Sequence, residues 1–176
     1  MVDAPKTSTT DRAAEPKLSN QSAGGTRTVF SLSEEETCEL GEVFARSLKG
    51  GELVLLEGEL GMGKTVFARG IACGLELPPE DVSSPSFTLI QEYRGGRLLM
   101  FHVDLYRLNS PDELATLGLE EILSSGGVVV VEWGEKLPAY YHANAITVRL
   151  HDVGEGSRRI ELDQPAEGEQ QRRGDA

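Results

Sequence analysis

Residues 52–65 read ELVLLEGELGMGKT: four consecutive aliphatic residues, Leu53–Leu56, followed at once by a loop holding three glycines and a lysine. Such a run reads as a short buried strand. Glycines just past its end are costly unless the backbone needs positive φ or something must approach it closely. Gly58-x4-Gly63-Lys64-Thr65 fits the pattern G-x-x-x-x-G-K-[ST], in which bare backbone N–H groups wrap a phosphate at the start of the next helix. The lysine brings a point charge to the β/γ oxygens, and the hydroxyl of the Ser/Thr can take Mg²⁺. The alternative, a glycine-rich turn capped by a surface lysine, does not explain a buried strand before the loop and a helix pattern after it. Gly58, Leu60, Gly61, Met62, Gly63, Lys64 and Thr65 are therefore the candidate nucleotide-binding residues.

Outward from this loop the pattern alternates between helix and strand. TVFSL (28–32) reads as a strand. Ser33, with Glu36 three residues on, carries a capping-box signature. Thr37, Leu40, Gly41, Phe44, Ala45 and Leu48 recur at helical spacing, and Gly50–Gly51 is the expected stop. Lys64 to Leu75 reads as a second helix, broken by Pro78 and Pro79. SFTLIQEYR and RLLMFHVDLYR flank Gly95–Gly96 as a hairpin. Ser110–Pro111 opens a short acidic helix through Leu117, and GLEEILSS continues helical. GVVVVEW is a strand buried on both faces, and AITVRL and SRRIEL form a closing hairpin around GEGS. The expectation is an α/β fold: a three-layer P-loop NTPase-like domain with a mixed β-sheet. It spans 27–163, with residues 1–26 and 164–176 as disordered tails poor in large apolar side chains.

Composition sets limits on function. The chain has 176 residues and a net charge of −12, enough length for one domain with a substantial core. Of the 17 basic and 29 acidic residues, the two tails hold five and six, leaving 12 and 23 in 27–163, a net of −11. A domain this acidic repels a phosphate backbone unless its cations are tightly grouped, so any contact with RNA is expected to pass through a partner. The longest aliphatic runs, LVLL and VVVV, are far too short to span a bilayer. Residues 1–17 lack the apolar core of a secretory signal. A cytoplasmic protein is expected, with Cys38 and Cys73 as reduced thiols.

P-loop folds usually place an acid near the Mg²⁺ at the end of a neighbouring buried strand. Two candidates exist: Glu132, closing GVVVV, and Asp104, closing LLMFHV. For each, the alternative is a strand-terminal acid that is merely solvated or paired with an arginine such as Arg107. His102 shares a strand face with Asp104. This pair could bind a metal, but without a third ligand it reads as a hydrogen-bonded structural histidine. There is no N-K-x-D stretch, so ATP is the expected nucleotide.

SEEET..LG at 33–41, LEGELGMGKT at 56–65, VSSPSFTL at 82–89, FHVDLYRL at 101–108 and VVVEW at 129–133 occur in that order. Together they closely resemble the TsaE family, small P-loop ATPases of bacterial tRNA threonylcarbamoyladenosine synthesis, and the likeness covers nearly all of 27–163. The resemblance implies a protein that binds and hydrolyses ATP with Mg²⁺ and acts on the TsaB–TsaD complex, which carries out the threonylcarbamoyl transfer. By motif it makes Thr65 and Glu132 the Mg²⁺ ligands and Lys64 the phosphate lysine. Asp104 becomes an acid near the γ-phosphate, orienting water or its metal, so Asp104, Glu132 and Lys64 are the candidate catalytic set. The resemblance also makes Ser84–Thr88 a switch-like loop and places Ser33–Thr37 near the adenine. Met62, Ser86 and Val66 depart from the family pattern without removing a needed functional group. A small-molecule kinase on the same loop lacks an arginine-rich lid here, and a module that binds ATP without turnover would share most of these features.

Overall fold

Two apolar faces of one sheet decide the architecture. In the computed structural model, which describes residues 25–165, the chain runs β1 (Gly25–Ser31), α1 (Glu34–Ala45), β2 (Leu53–Glu57), α2 (Lys64–Gly74), β3 (Ile90–Tyr93) and β4 (Met100–Asp104). It continues through α3 (Pro111–Ala115), α4 (Leu119–Ser124), β5 (Val128–Glu132), α5 (Ala139–His142), β6 (Ile146–Gly154) and β7 (Ser157–Gln164). The seven strands form one sheet in the order β1-β7-β6-β2-β5-β4-β3. The four central strands β6, β2, β5 and β4 are parallel, and antiparallel pairs close both edges. The mixed three-layer α/β fold expected from the sequence is the one observed.

Period-two alternation sorts the strands' side chains between two layers. Val54 and Leu56 of β2, with Val128 and Val130 of β5, pack with Leu40 and Phe44 of α1 and Phe67 and Ile71 of α2. Leu53, Leu55, Val129 and Val131 face the other way, onto Leu119, Leu137 and Ala145, with Leu114, Ile122 and Tyr141 packed behind. All five residues of β5 are buried, as expected of a strand covered on both faces. On the α1/α2 side, the two helices approach at backbone distance. A Cβ on Gly70 would lie 2.0 Å from the Cys38 carbonyl oxygen, and one on Gly41 would lie 2.4 Å from that of Phe67. Cys38 and Cys73 are free thiols.

Several boundaries differ from the sequence reading, each for a nonlocal reason. Helix α1 stops at Ala45 instead of Leu48, well before Gly50–Gly51. Ser47 and Leu48 close a tight turn by i→i−3 bonds, and the Arg97 guanidinium donates to the Leu48, Ala45 and Gly74 carbonyls, capping both helices from the β3–β4 loop. SFTL (86–89) is not strand: Leu89 sits at φ 65° with its N–H on the Pro85 carbonyl, and β3 starts only at Ile90. The helix read through Leu117 ends at Ala115, because Gly118, at φ 66°, turns the chain into α4. Strand β1 takes in Gly25 and Thr26, and β7 takes in Gln164, all three read as tail residues. Apart from Pro165, the rest of both expected tails lies outside the described residues. Among the described residues no helix is long and apolar enough to cross a membrane.

Candidate functional site

Because β2, β5 and β4 run parallel and side by side, their C-terminal ends open onto one edge of the sheet. Ligands of open α/β sheets bind at such an edge. Strand β2 runs into the glycine loop, whose three glycines all need positive φ: Gly58 at 135°, Gly61 at 84° and Gly63 at 94°. A Cβ at Gly58 would also lie 2.5 Å from the Leu150 carbonyl oxygen. Gly63 is the N-cap of α2, and no side chain among the described residues caps that helix end. The first-turn N–H groups are thus aimed at the loop mouth, with the helix dipole behind them.

Lys64 is 5% exposed. Its ammonium donates to the Gly58 and Glu59 carbonyls at 2.6 and 2.8 Å, and lies 3.8 Å from the centre of the Trp133 ring. Burial pushes its pKa below the usual lysine value, while the carboxylates of Glu132, Glu135 and Asp104 pull the other way. This cation is held inside the loop by groups that a phosphate oxygen can replace one for one.

The two strand-terminal acids are register partners on adjacent strands, Asp104 against Glu132, and both are buried. Thr65 Oγ1 donates to Glu132 Oε1 at 2.8 Å. A hydroxyl and a carboxylate oxygen meeting at the start of a phosphate-binding helix form a hard-oxygen donor pair of the kind Mg²⁺ takes alongside phosphates and water. These two residues fit the ion that the motif implies. His102 Nε2 reaches the same Glu132 oxygen at 2.9 Å. Asp104 instead faces the SSPSFT loop: its Oδ2 accepts from the Ser84 hydroxyl and, at 2.6 Å, from the Ser86 hydroxyl, and its Oδ1 accepts from the Tyr106 N–H at 2.8 Å. Burial alone would raise its pKa. The two hydroxyls, the N–H and the nearby imidazole outweigh that and hold the carboxyl below its ordinary value.

The structure therefore brings together Gly58, Gly61, Gly63, Lys64, Thr65, Asp104 and Glu132 at one edge. Leu60 stands at the loop tip, 70% exposed, and Met62 packs its side chain against the α1/α2 core. That contact accounts for a large residue where the family pattern has a small one. The Ser86 hydroxyl, retained in place of threonine, bonds Asp104. Arg107 pairs with neither acid and stacks on Phe87 at 4.3 Å. His102 bonds Glu132 through Nε2 and does not pair with Asp104, and among the described residues no group of three or more His, Cys, Asp or Glu is placed to hold a metal. At Ser33–Thr37, Ser33 caps α1 through the Glu36 N–H, and Glu36 accepts from Leu32 instead of Ser33, one residue off the usual box. Thr37 bonds Ser31 and the Ser33 carbonyl, and its methyl lies 3.8 Å from where a Gly63 Cβ would be.

Three contributors escaped the sequence reading. Trp133, at φ 63°, covers Lys64, and its place directly after Glu132 was the available signal. Lys136 donates to the Leu105, Tyr106 and Leu108 carbonyls and so holds the chain just after Asp104. Arg158, 96 residues from the loop in sequence, donates Nε to the Met62 carbonyl at 3.1 Å. No local pattern marks the last two.

The family model for "Threonylcarbamoyl adenosine biosynthesis protein TsaE" matches residues 31–160. The chain is 41% identical over 140 residues to the tRNA threonylcarbamoyladenosine biosynthesis protein TsaE of Nostoc sp., covering 76% of this chain and 83% of that one. It is 38% identical to the protein of the same name from Treponema pallidum, covering 74% and 95%. The crystal structure of YdiB from Bacillus subtilis superposes with a TM-score of 0.64 at 30% identity, covering 82% of this chain and 88% of that one. This chain belongs to the TsaE family.

Proposed function

We propose that this protein is a Mg²⁺-dependent ATPase that serves tRNA threonylcarbamoyladenosine biosynthesis by acting on a TsaB–TsaD complex, without transferring the threonylcarbamoyl group itself. The observation that carries this reading is the convergence at one sheet edge of the Lys64–Thr65 loop, Glu132 bonded to Thr65, and Asp104 bonded to the Ser84/Ser86 loop. The glycine loop and Lys64 take the β- and γ-phosphates of ATP, with the ammonium exchanging its carbonyl partners for phosphate oxygens. Thr65 and Glu132 hold Mg²⁺, which neutralises charge developing on the phosphates when bound. Asp104, anionic at neutral pH, orients the attacking water. It is tied to a loop whose tip, Phe87, is 85% exposed, so a partner surface that orders the loop also places the acid. Positioning of this kind is the main source of rate in phosphoryl transfer.

The net charge of −11 over residues 27–163 gives no counterion-release drive for tRNA, so tRNA meets this chain through the partner complex. The test is phosphate release by the chain alone, with TsaB–TsaD, and with Ser86→Ala in place of wild type. Release accelerated by the complex, and blunted in the variant, supports the proposal. Release unchanged by the complex, transfer of phosphate to a small acceptor instead of water, or salt-sensitive submicromolar tRNA binding by the isolated chain contradicts it.

A further inference from the structure

His102 is fully buried on β4, on the sheet face that carries Met100 and, on the adjacent strand, Val128 and Val130. An imidazole among such neighbours needs a reason, because burying a polar ring is unfavourable unless its nitrogens are bonded. Only one is. Nε2 lies 2.9 Å from Glu132 Oε1, while Nδ1 is buried and has no hydrogen-bond partner among the described residues. A leucine or methionine would fill the site without an orphaned nitrogen, so packing does not account for the ring. The carboxylate can only accept, so Nε2 carries the hydrogen and donates it.

Two donors thus converge on Glu132 Oε1, the Thr65 hydroxyl at 2.8 Å and the His102 ring, but they differ in what they can do later. Thr65 sits on the phosphate-binding helix, and its oxygen would offer a lone pair to the cation while its hydrogen stays on Glu132, so its position follows the filling of the site. His102 is rooted in the core strand and faces no ligand.

We infer that His102 is a positioning residue that keeps the Glu132 carboxylate aimed at the Mg²⁺ of bound Mg·ATP. This rests on the reading of Glu132 as a metal ligand given above. Outer-shell partners of metal ligands typically govern about 10- to 100-fold in metal affinity.

The test is the affinity of the full chain for a fluorescent ATP analogue, titrated with Mg²⁺ and repeated in EDTA, with melting curves as a check on folding. His102→Leu is expected to raise the Mg²⁺ needed for half-maximal tight binding by about 10- to 100-fold, leaving affinity in EDTA unchanged. His102→Gln, whose amide nitrogen can reach the Nε2 position, is expected to restore most of the loss. His102→Asn, whose amide reaches only the Nδ1 position, is not, and the Gln/Asn pair decides the matter if the leucine variant does not fold. A Mg²⁺ requirement unmoved in both Leu and Asn variants overturns the inference. So does an EDTA affinity that falls in parallel, since that marks a general structural role. Glu132→Gln in the same titration separates the levels. If it shifts the Mg²⁺ requirement and His102→Leu does not, the positioning role alone fails. If it shifts nothing, the metal-ligand reading fails as well.

Discussion

Removing the Ser86 hydroxyl perturbs the site at its most dependent point. Asp104 is 2% exposed and relies on three donors, the Ser84 and Ser86 hydroxyls and the Tyr106 N–H. A hydrogen bond to an ionised group is worth about 1.5–3 kcal/mol, the more so when the group is cut off from water. Ser86 is only half-buried, so water can partly replace it, and the lower figure, about 1.5 kcal/mol, is the expected loss for Ser86→Ala. For a domain near 150 residues this lowers Tm by about 3–6 °C at neutral pH. The sign with pH follows from the depressed Asp104 pKa. Stability from a lowered carboxyl is fully present above its unfolded value and is lost as pH falls through the folded value. The gap between wild type and Ser86→Ala should therefore be widest near neutral pH and narrow in acid. In an Asp104→Ala background the serine change should cost little, giving a coupling above about 0.5 kcal/mol in the double-mutant cycle. Ser86→Thr, which keeps the hydroxyl, should leave Tm nearly unchanged. A Ser86→Ala protein that melts within about 1 °C of wild type, or one whose loss is the same without Asp104, would refute the reasoning.

Other consequences can be checked as directly. Lys64→Ala should weaken ATP binding by about 100-fold or more, the worth of a charge-assisted phosphate contact, with little change in apo melting. Wild-type affinity would remove the P-loop assignment. Glu132→Gln should slow phosphate release more than it weakens nucleotide binding, since it removes charge needed to hold Mg²⁺ against the γ-phosphate. Normal release would make Asp104 the principal acid. Gly70→Ala, which drives a Cβ to 2.0 Å from the Cys38 carbonyl, should destabilise by about 2 kcal/mol, overpacking outweighing the better helix propensity. A denaturant midpoint at or above wild type would show that α1 can move away freely.

What the sequence made legible was what local chemistry dictates. Strand β2, the glycine loop and the start of α2 are written in consecutive residues. The run Val128–Val131 could only be a strand covered on both faces, and it delivers Glu132 where a P-loop fold needs an acid. The β3–β4 and β6–β7 hairpins were likewise readable from turn residues between alternating runs, but the pairing of β1 with β7, distant in sequence, was not. Legibility ended where distant groups decide the outcome. Helix α1 has apolar spacing through Leu48 but ends at Ala45, where Arg97 takes its last carbonyls from a loop 52 residues away. The stretch SFTL has the composition of a strand but is held as a loop by Pro85 and by serine hydroxyls bound to Asp104. Within the site, the residue types and their order were visible. The contacts that hold them, Trp133 over Lys64, Lys136 behind Asp104, Arg158 on Met62 and His102 under Glu132, arise only when the sheet assembles.

The central claim, that ATP turnover at the Lys64 loop sustains threonylcarbamoylation, is tested most directly by reconstituted tRNA modification. TsaB, TsaD, substrate tRNA and a threonylcarbamoyl donor are combined with this protein or its Lys64→Ala variant, and modified adenosine is counted per complex over time. The account predicts repeated turnover with the wild-type chain and ATP, and a collapse of that turnover when the chain is omitted or carries Lys64→Ala. Modification that proceeds equally well with the variant would contradict it.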